Sequence, residues 1–203
     1  MLYEIATLSG SVFTAKGVRQ GASDWLAGSV AGSVLGLWTT EIGPIGDLVV
    51  LRAFPDADAL AAERRRALHS ADPCGSASAG VRLTMESYAP FPFLPAPVPR
   101  DYGGVFELRT YHLVPGGLPA TLAGWQQAIG PAHRYTDHLV TALYALDGPL
   151  RITHLWGFAS VEERNELRRD HYAAGLWPPK GGPEHIHHAT STIALADPGF
   201  PIR

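Results

Sequence analysis

A repeat constrains this chain more than any local pattern does. Leu2-Tyr3-Glu4-Ile5-Ala6-Thr7-Leu8 reads like Val105-Phe106-Glu107-Leu108-Arg109-Thr110-Tyr111, and Leu48-Val49-Val50-Leu51-Arg52-Ala53-Phe54 like Ile152-Thr153-His154-Leu155-Trp156-Gly157-Phe158. The turns correspond too, Glu41-Ile42-Gly43-Pro44-Ile45 with Leu146-Asp147-Gly148-Pro149-Leu150. Self-similarity at one long spacing, here roughly 100 residues, means one folding unit written twice. The units are read as residues 1–89 and 104–197, joined by a connector at 90–103 and followed by a tail at 198–203. In the connector, Pro90-Phe91-Pro92-Phe93-Leu94-Pro95-Ala96-Pro97-Val98-Pro99, each proline deletes a backbone donor and holds its predecessor extended. The result is a stiff spacer able to keep the halves in a fixed relation, with Phe91, Phe93 and Leu94 suited to burial.

The second copy shows the element order most clearly. Val105 to His112 alternates and stops at Pro115-Gly116-Gly117, as a strand does before a loop. Leu118, Leu122, Trp125 and Ile129 then fall on one helical face. Leu139 to Leu146 and Arg151 to Phe158 are apolar runs parted by Asp147-Gly148-Pro149, the spacing of a hairpin. Ser160, with Glu163 three residues on, caps a helix over Val161 to Tyr172, and Ile186 to Leu195 is the last strand. Each copy therefore reads βαββαβ, the ferredoxin-like α+β unit: a four-stranded antiparallel sheet with two helices on one face. The bare face of each sheet is apolar, so the two sheets are expected to pack face to face and close an α/β barrel within one chain.

Composition removes several function classes. Lys plus Arg number 16 against 19 Asp plus Glu, a net charge of −3, which offers no cationic surplus to a phosphate backbone or an anionic membrane. Cys74 stands alone, so neither an internal disulfide nor a cysteine-rich zinc site can form. Met1 leads straight into a strand pattern with no leader, and the low-charge stretch at 26–40 is broken by Gly28, Gly32 and Gly36. A cytoplasmic protein without transmembrane helices is expected. The expected partner is a small molecule rather than nucleic acid or membrane, and a homodimer would follow if incomplete closure left strand edges unpaired.

Three segments carry a resemblance to a known family. They are Phe106-Glu107-Leu108-Arg109-Thr110-Tyr111 followed by Pro115-Gly116, Asp147-Gly148-Pro149-Leu150-Arg151-Ile152-Thr153-His154-Leu155-Trp156, and Trp177-Pro178-Pro179-Lys180-Gly181-Gly182-Pro183-Glu184. In the first half Trp38-Thr39-Thr40-Glu41-Ile42-Gly43-Pro44 and the run from Ala53-Phe54 to Arg64 repeat the pattern. With these segments the chain resembles the NIPSNAP family, a branch of the dimeric α/β-barrel superfamily. The resemblance implies a barrel fold. It implies no reaction, because the family has no agreed one and the superfamily holds cofactor-free monooxygenases, ring-processing enzymes, haem peroxidases and binding proteins.

Alternation divides the strands by face. With Phe106, Leu108 and Thr110 turned to the helices, Glu107, Arg109 and Tyr111 are expected to line the barrel lumen, joined by His154, Trp156 and Phe158. The first half supplies Glu4, Ala6 and Leu8, with Val50 and Arg52, at the matching places. One working pocket in the second half is therefore expected. His154 is the candidate acid or base, Arg109 and Tyr111 the candidate oxyanion partners, and Glu107, Trp156, Phe158 and Trp177 the substrate-binding residues. Two alternatives stand beside this: Arg109 as a buried ion pair with Glu107, and His154 as a satisfied core histidine. Trp177 either plugs a lid over the barrel mouth or seals the layer beneath a helix. Glu162, Glu163, Arg164, Arg168 and Arg169 read as a solvated helix face.

His185 and His187 would share a strand face, with His138 or His171 as further ligands, but two histidines do not make a metal site, and no metal or other cofactor is assigned. Haem lacks an attachment motif. Two functions stay open: a cofactor-independent enzyme acting on a hydrophobic or aromatic small molecule, and a non-catalytic module that binds a small molecule or a protein.

Overall fold

A computed structural model describes residues 1–10, 15–29 and 31–203. Its first half runs β1 (Leu2–Ser9), α1 (Ala15–Ala27), β2 (Ser33–Ile42), β3 (Leu48–Phe54), α2 (Ala57–His69), the short α3 (Ser76–Ala79) and β4 (Arg82–Pro90). The second runs β5 (Val105–Leu113), α4 (Gly117–Ile129), the short α5 (His133–Thr136), β6 (Leu139–Ala145), β7 (Arg151–Phe158), α6 (Val161–Ala173) and β8 (Ile186–Ala196). The helix starts have local causes. Asp56 accepts the Ala59 N–H at 2.8 Å to open α2, and Ser160 accepts the Glu163 N–H at 3.1 Å to open α6. The Glu163 carboxylate reaches back one residue further than a standard capping box, to the Ala159 N–H at 2.6 Å.

The strands close a barrel in the order β1-β3-β2-β8-β5-β7-β6-β4, with β4 returning to β1, and every pair is antiparallel. Within each half the order is that of a ferredoxin-like sheet, and the halves join at β2 with β8 and at β4 with β6. The two sheets thus do close on one another as expected. Closure leaves no unpaired strand edge in the barrel, which removes the edge argument for a homodimer. Among the described residues no helix is long and apolar enough to cross a membrane.

The faces are the reverse of those expected. One buried cluster draws on all eight strands and on no helix: Tyr3, Ile5, Trp38, Val49, Leu51, Tyr88, Phe106, Val140, Leu143, Leu155 and Ala194 are among its members, with Leu108 packed against it. That cluster is the lumen. Phe106 meets Trp38 across it at 5.3 Å between ring centres, and the void left in its apolar part is about 10 Å³. Phe106, Leu108 and Thr110 therefore face the lumen, while Glu107, Arg109, Tyr111, His154, Trp156 and Phe158 face the helices. The physical reason lies in burial: β3 and β7 are buried at every position, so alternation separates two faces without saying which one is covered by helices.

The connector packs as its aromatics required. Phe91 donates its N–H to the Ala142 carbonyl at 2.9 Å and stands edge-on to Phe93 and Trp125. Because Phe106 fills the lumen from the middle of the second sheet, Phe106→Ala is expected to cost ~3–5 kcal/mol. Urea unfolding followed by circular dichroism measures it, and a loss under about 1 kcal/mol would be inconsistent with a dry, packed lumen.

Candidate functional site

On the helix side of β5, Glu107 is fully enclosed. It accepts hydrogen bonds from Arg109 Nη2, from Arg164 Nε at 3.0 Å and Nη2, and from Ser191 Oγ at 2.6 Å. Burial opposes its ionisation, but these donors and the Arg109 charge outweigh it and hold the carboxyl far below the usual range. Burial likewise works against the Arg109 charge, and Glu107 more than restores it. Arg109 Nη2 also donates to the Tyr135 hydroxyl at 3.1 Å, whereas its Nε and Nη1 have no partner among the described residues.

The first half carries a pair of the same kind. Arg52 donates to Glu4 Oε1 from Nε at 3.0 Å and Nη2 at 2.5 Å, and to Glu63 Oε2 from Nη1 at 2.8 Å. A buried carboxylate held by guanidinium is thus common to both halves and belongs to the joint between sheet and helices. The expectation that the first half had lost this polarity is corrected, because its arginine comes from β3 rather than β1. Arg164, read as part of a solvated helix face, turns inward to the sheet.

What only the second half has is centred on His154, which lies opposite Arg109 in the β5 and β7 register. His154 Nδ1 accepts the Trp156 indole N–H at 2.6 Å. An indole nitrogen only donates, so Nδ1 is bare and the neutral ring carries its proton on Nε2. That Nε2 has no partner among the described residues. Burial first, and the Arg109 charge second, push the imidazole well below its ordinary basicity. Rings crowd round it: Tyr111 at 4.8 Å and Trp125 at 5.0 Å, with Trp177 against Trp125 at 4.9 Å and Tyr135 stacked on Trp156 at 4.5 Å.

A cavity of about 210 Å³ opens beside this group between the sheet, α4 and the segment 177–183. Tyr111, Thr121, Trp125, His154, Trp177 and Pro179 are among the residues lining it. Thr121 Oγ1, buried on α4, also has no partner among the described residues. Gly124 seats the segment, since a Cβ there would overlap the Lys180 carbonyl oxygen. Trp177 is 3% exposed within the helix-side cluster, so the lid over the barrel mouth is corrected to a wall on the other side of the sheet. At the matching place in the first half Ala6 pairs with Val50, and Leu8, Val18, Ala22, Leu26 and Cys74 pack the space.

Of the residues picked from sequence, Tyr111, His154 and Trp177 line the cavity, Trp156 holds His154, and Glu107 with Arg109 forms the ion pair. Phe158 stands behind them, 6.4 Å from Tyr135 and 5.0 Å from His138. Thr121, Tyr135, Arg164 and Gly124 had no signal of their own, because each acts through a partner distant in sequence. The histidines weighed as further ligands are held apart: His185 lies in the turn Pro183–His185, His138 Nδ1 pairs with the Gly157 carbonyl, and His171 Nδ1 with the Leu167 carbonyl. Among the described residues no group of three or more His, Cys, Asp or Glu is placed to hold a metal ion.

The NIPSNAP family model matches residues 6–90 and 106–196. Protein NipSnap homolog 2 of Danio rerio is 29% identical over 104 residues, 51% of this chain and 34% of that protein, so the chain matches about a third of that relative's length. Among solved structures, an anthrone oxidase-like protein superposes with a TM-score of 0.67 at 8% identity, covering 97% of this chain and 91% of that one. A mutant chlorite dismutase of Candidatus Nitrospira defluvii in complex with cyanide gives 0.61 at 12% identity, covering 97% and 90%. Likeness at such identities concerns the fold alone.

Two outcomes follow from the site's electrostatics. Glu107→Gln leaves Arg109 and Arg164 facing a neutral amide and is expected to cost ~3–5 kcal/mol in urea unfolding; a loss near zero contradicts the pairing. The folded His154 pKa lies below the unfolded value of about 6.5. Its contribution is therefore complete above that value and is lost as pH falls toward the lower folded one. Thermal unfolding of His154→Gln is expected to vary less with pH between about 7.5 and 5 than that of the native chain, and equal slopes would contradict the shift.

Proposed function

The chain belongs to the NIPSNAP family, and from that premise we propose that its second half binds a small aromatic molecule between the sheet and α4. The observation that carries this reading is the unpartnered Nε2–H of His154 at a cavity walled by Tyr111, Trp125 and Trp177. A buried donor left unmade costs free energy that a ligand acceptor recovers. An apolar cavity of ~150 Å³ takes one benzene ring, so about 210 Å³ suits one ring with a substituent and lies below the ~300 Å³ at which drug-sized pockets begin. The substituent that fits is a carbonyl or phenolic oxygen accepting from His154, with the Thr121 hydroxyl as a second polar contact.

The acid or base role expected of His154 gives way to that of a donor, because Nδ1 is held by Trp156 and Nε2 already carries the proton. Catalysis here would proceed by hydrogen bonding to an oxygen that gains negative charge, with the fixed Arg109 charge adding a favourable potential. Tyr111 keeps its proton, since burial raises its pKa against the opposing pull of Arg109. Haem does not fit: a macrocycle exceeds a one-ring cavity, and an imidazole ligating through Nε2 would carry its proton on Nδ1, where the indole N–H points.

Thermal shift and calorimetric titration with 4-hydroxybenzaldehyde, phenol and toluene test the proposal. Saturable binding is expected for the oxygen-bearing rings and about tenfold weaker binding to His154→Phe, the worth of one hydrogen bond. Equal affinity for toluene, or unchanged binding by the variant, would contradict it. Conversion of the bound aldehyde or phenol, followed by mass spectrometry, separates enzyme from binding module.

A further inference from the structure

The barrel lumen is packed at one end and open at the other, and its open end has a chemistry of its own. A cavity of about 150 Å³ lies there, lined by six threonines drawn from β1, β2, β5, β7 and β8, together with Asp47, Glu86 and Tyr88. Every polar side chain in this lining ends in oxygen. No lysine, arginine, histidine or amide side chain lines it. Both halves of the chain contribute, so the collar exists only in the closed barrel.

Asp47 gives the collar its charge. It is 8% exposed and accepts from the Ser9 hydroxyl at 2.7 Å, with no cation at ion-pair distance among the described residues. Its own backbone N–H is held by Thr40 Oγ1 at 2.9 Å, and the Thr40 hydroxyl donates to the Pro44 carbonyl, so the turn carrying Asp47 is pinned. Glu86 is already balanced: its Oε1 meets Arg151 Nη2 at 2.9 Å and its Oε2 accepts the Tyr88 hydroxyl at 3.0 Å. Burial, with the Glu86 charge, pushes the Tyr88 phenol up to about 12, so it stays neutral. Of the two carboxyl groups in the lining, Asp47 is therefore the one without a cationic partner among the described residues. A buried carboxylate without a countercharge is costly to retain.

We infer that this end of the barrel binds a compact primary ammonium group on a short alkyl body. An ammonium has three donors and no acceptor, which matches a collar rich in acceptors with one unbalanced carboxylate. Ile5, Val49 and Leu108 form the apolar floor, and 150 Å³ holds about five water-sized groups, enough for a head and a few methylenes. This site lies on the opposite face of the sheet from the His154 cavity and is independent of it.

The probe is n-propylammonium chloride, titrated into the full chain while the threonine methyl signals of Thr7, Thr110 and Thr192 are followed by NMR. Saturable shifts are expected with n-propylammonium, none with n-propanol or propionate, and at least tenfold weaker binding to Asp47→Asn. Thr192→Val, at a partly exposed position, is expected to fold and to weaken binding about threefold should Asp47→Asn fail to fold. The inference is overturned by the absence of saturation, by equal shifts with n-propanol, or by undiminished binding to Asp47→Asn or, where that variant does not fold, to Thr192→Val. It is also overturned if potassium or magnesium chloride saturates the same signals and n-propylammonium does not displace it.

Discussion

Closure of the eight strands is the constraint from which the rest descends. With β4 returned to β1, one face of each sheet must fill a narrow lumen and the other must accept helices, so β3 and β7, inside their sheets, are buried on both faces along their whole length. A polar side chain on either face then has to bring its own partner. Glu107 is met by Arg109, Arg164 and Ser191, Glu4 by Arg52, and His154 by the Trp156 indole. These are the same physical requirement met three ways. Two of the buried polar atoms left without a partner among the described residues, His154 Nε2 and Thr121 Oγ1, belong to residues that line one cavity.

Duplication supplies an internal control that a single domain lacks. Both halves keep the buried carboxylate and guanidinium, so that pairing answers to folding. Only the second half keeps the histidine, the indole that orients it, and the aromatic walls around an empty volume. The first half fills the same layer with Val18, Ala22, Leu26 and Cys74, and burial raises the Cys74 thiol to about 11, which leaves it unreactive at neutral pH. The proposed aromatic site thus rests on one copy, while both copies close the barrel and line its lumen.

Much of this was legible in the letters. Asp147-Gly148-Pro149 marked the hairpin between β6 and β7, Ser160 marked the start of α6, and the repeat itself implied the closed architecture. The faces were not legible, because Phe106 and Arg109 are buried alike and a period of two carries no sign. Arg164 was misread for a related reason: a charged residue on a polar helix looks solvated until its long side chain is seen to reach a carboxylate on another element. His154 was expected on the lumen side and lies on the helix side, whereas of the two places weighed for Trp177 the structure shows the layer beneath the helices. The short α3 and α5 rest on tertiary packing and have no strong local pattern.

His154 acts in this site as a neutral donor fixed by Trp156. Long-range proton–nitrogen NMR of the histidine side chains reads this directly, since the two ring nitrogens differ in shift according to which one bears the proton. One tautomer, protonated at Nε2, is expected to persist as pH falls through the ordinary imidazole range around 6.5. An imidazole that titrates near its ordinary value of about 6.5, or one that carries its proton on Nδ1, would contradict it.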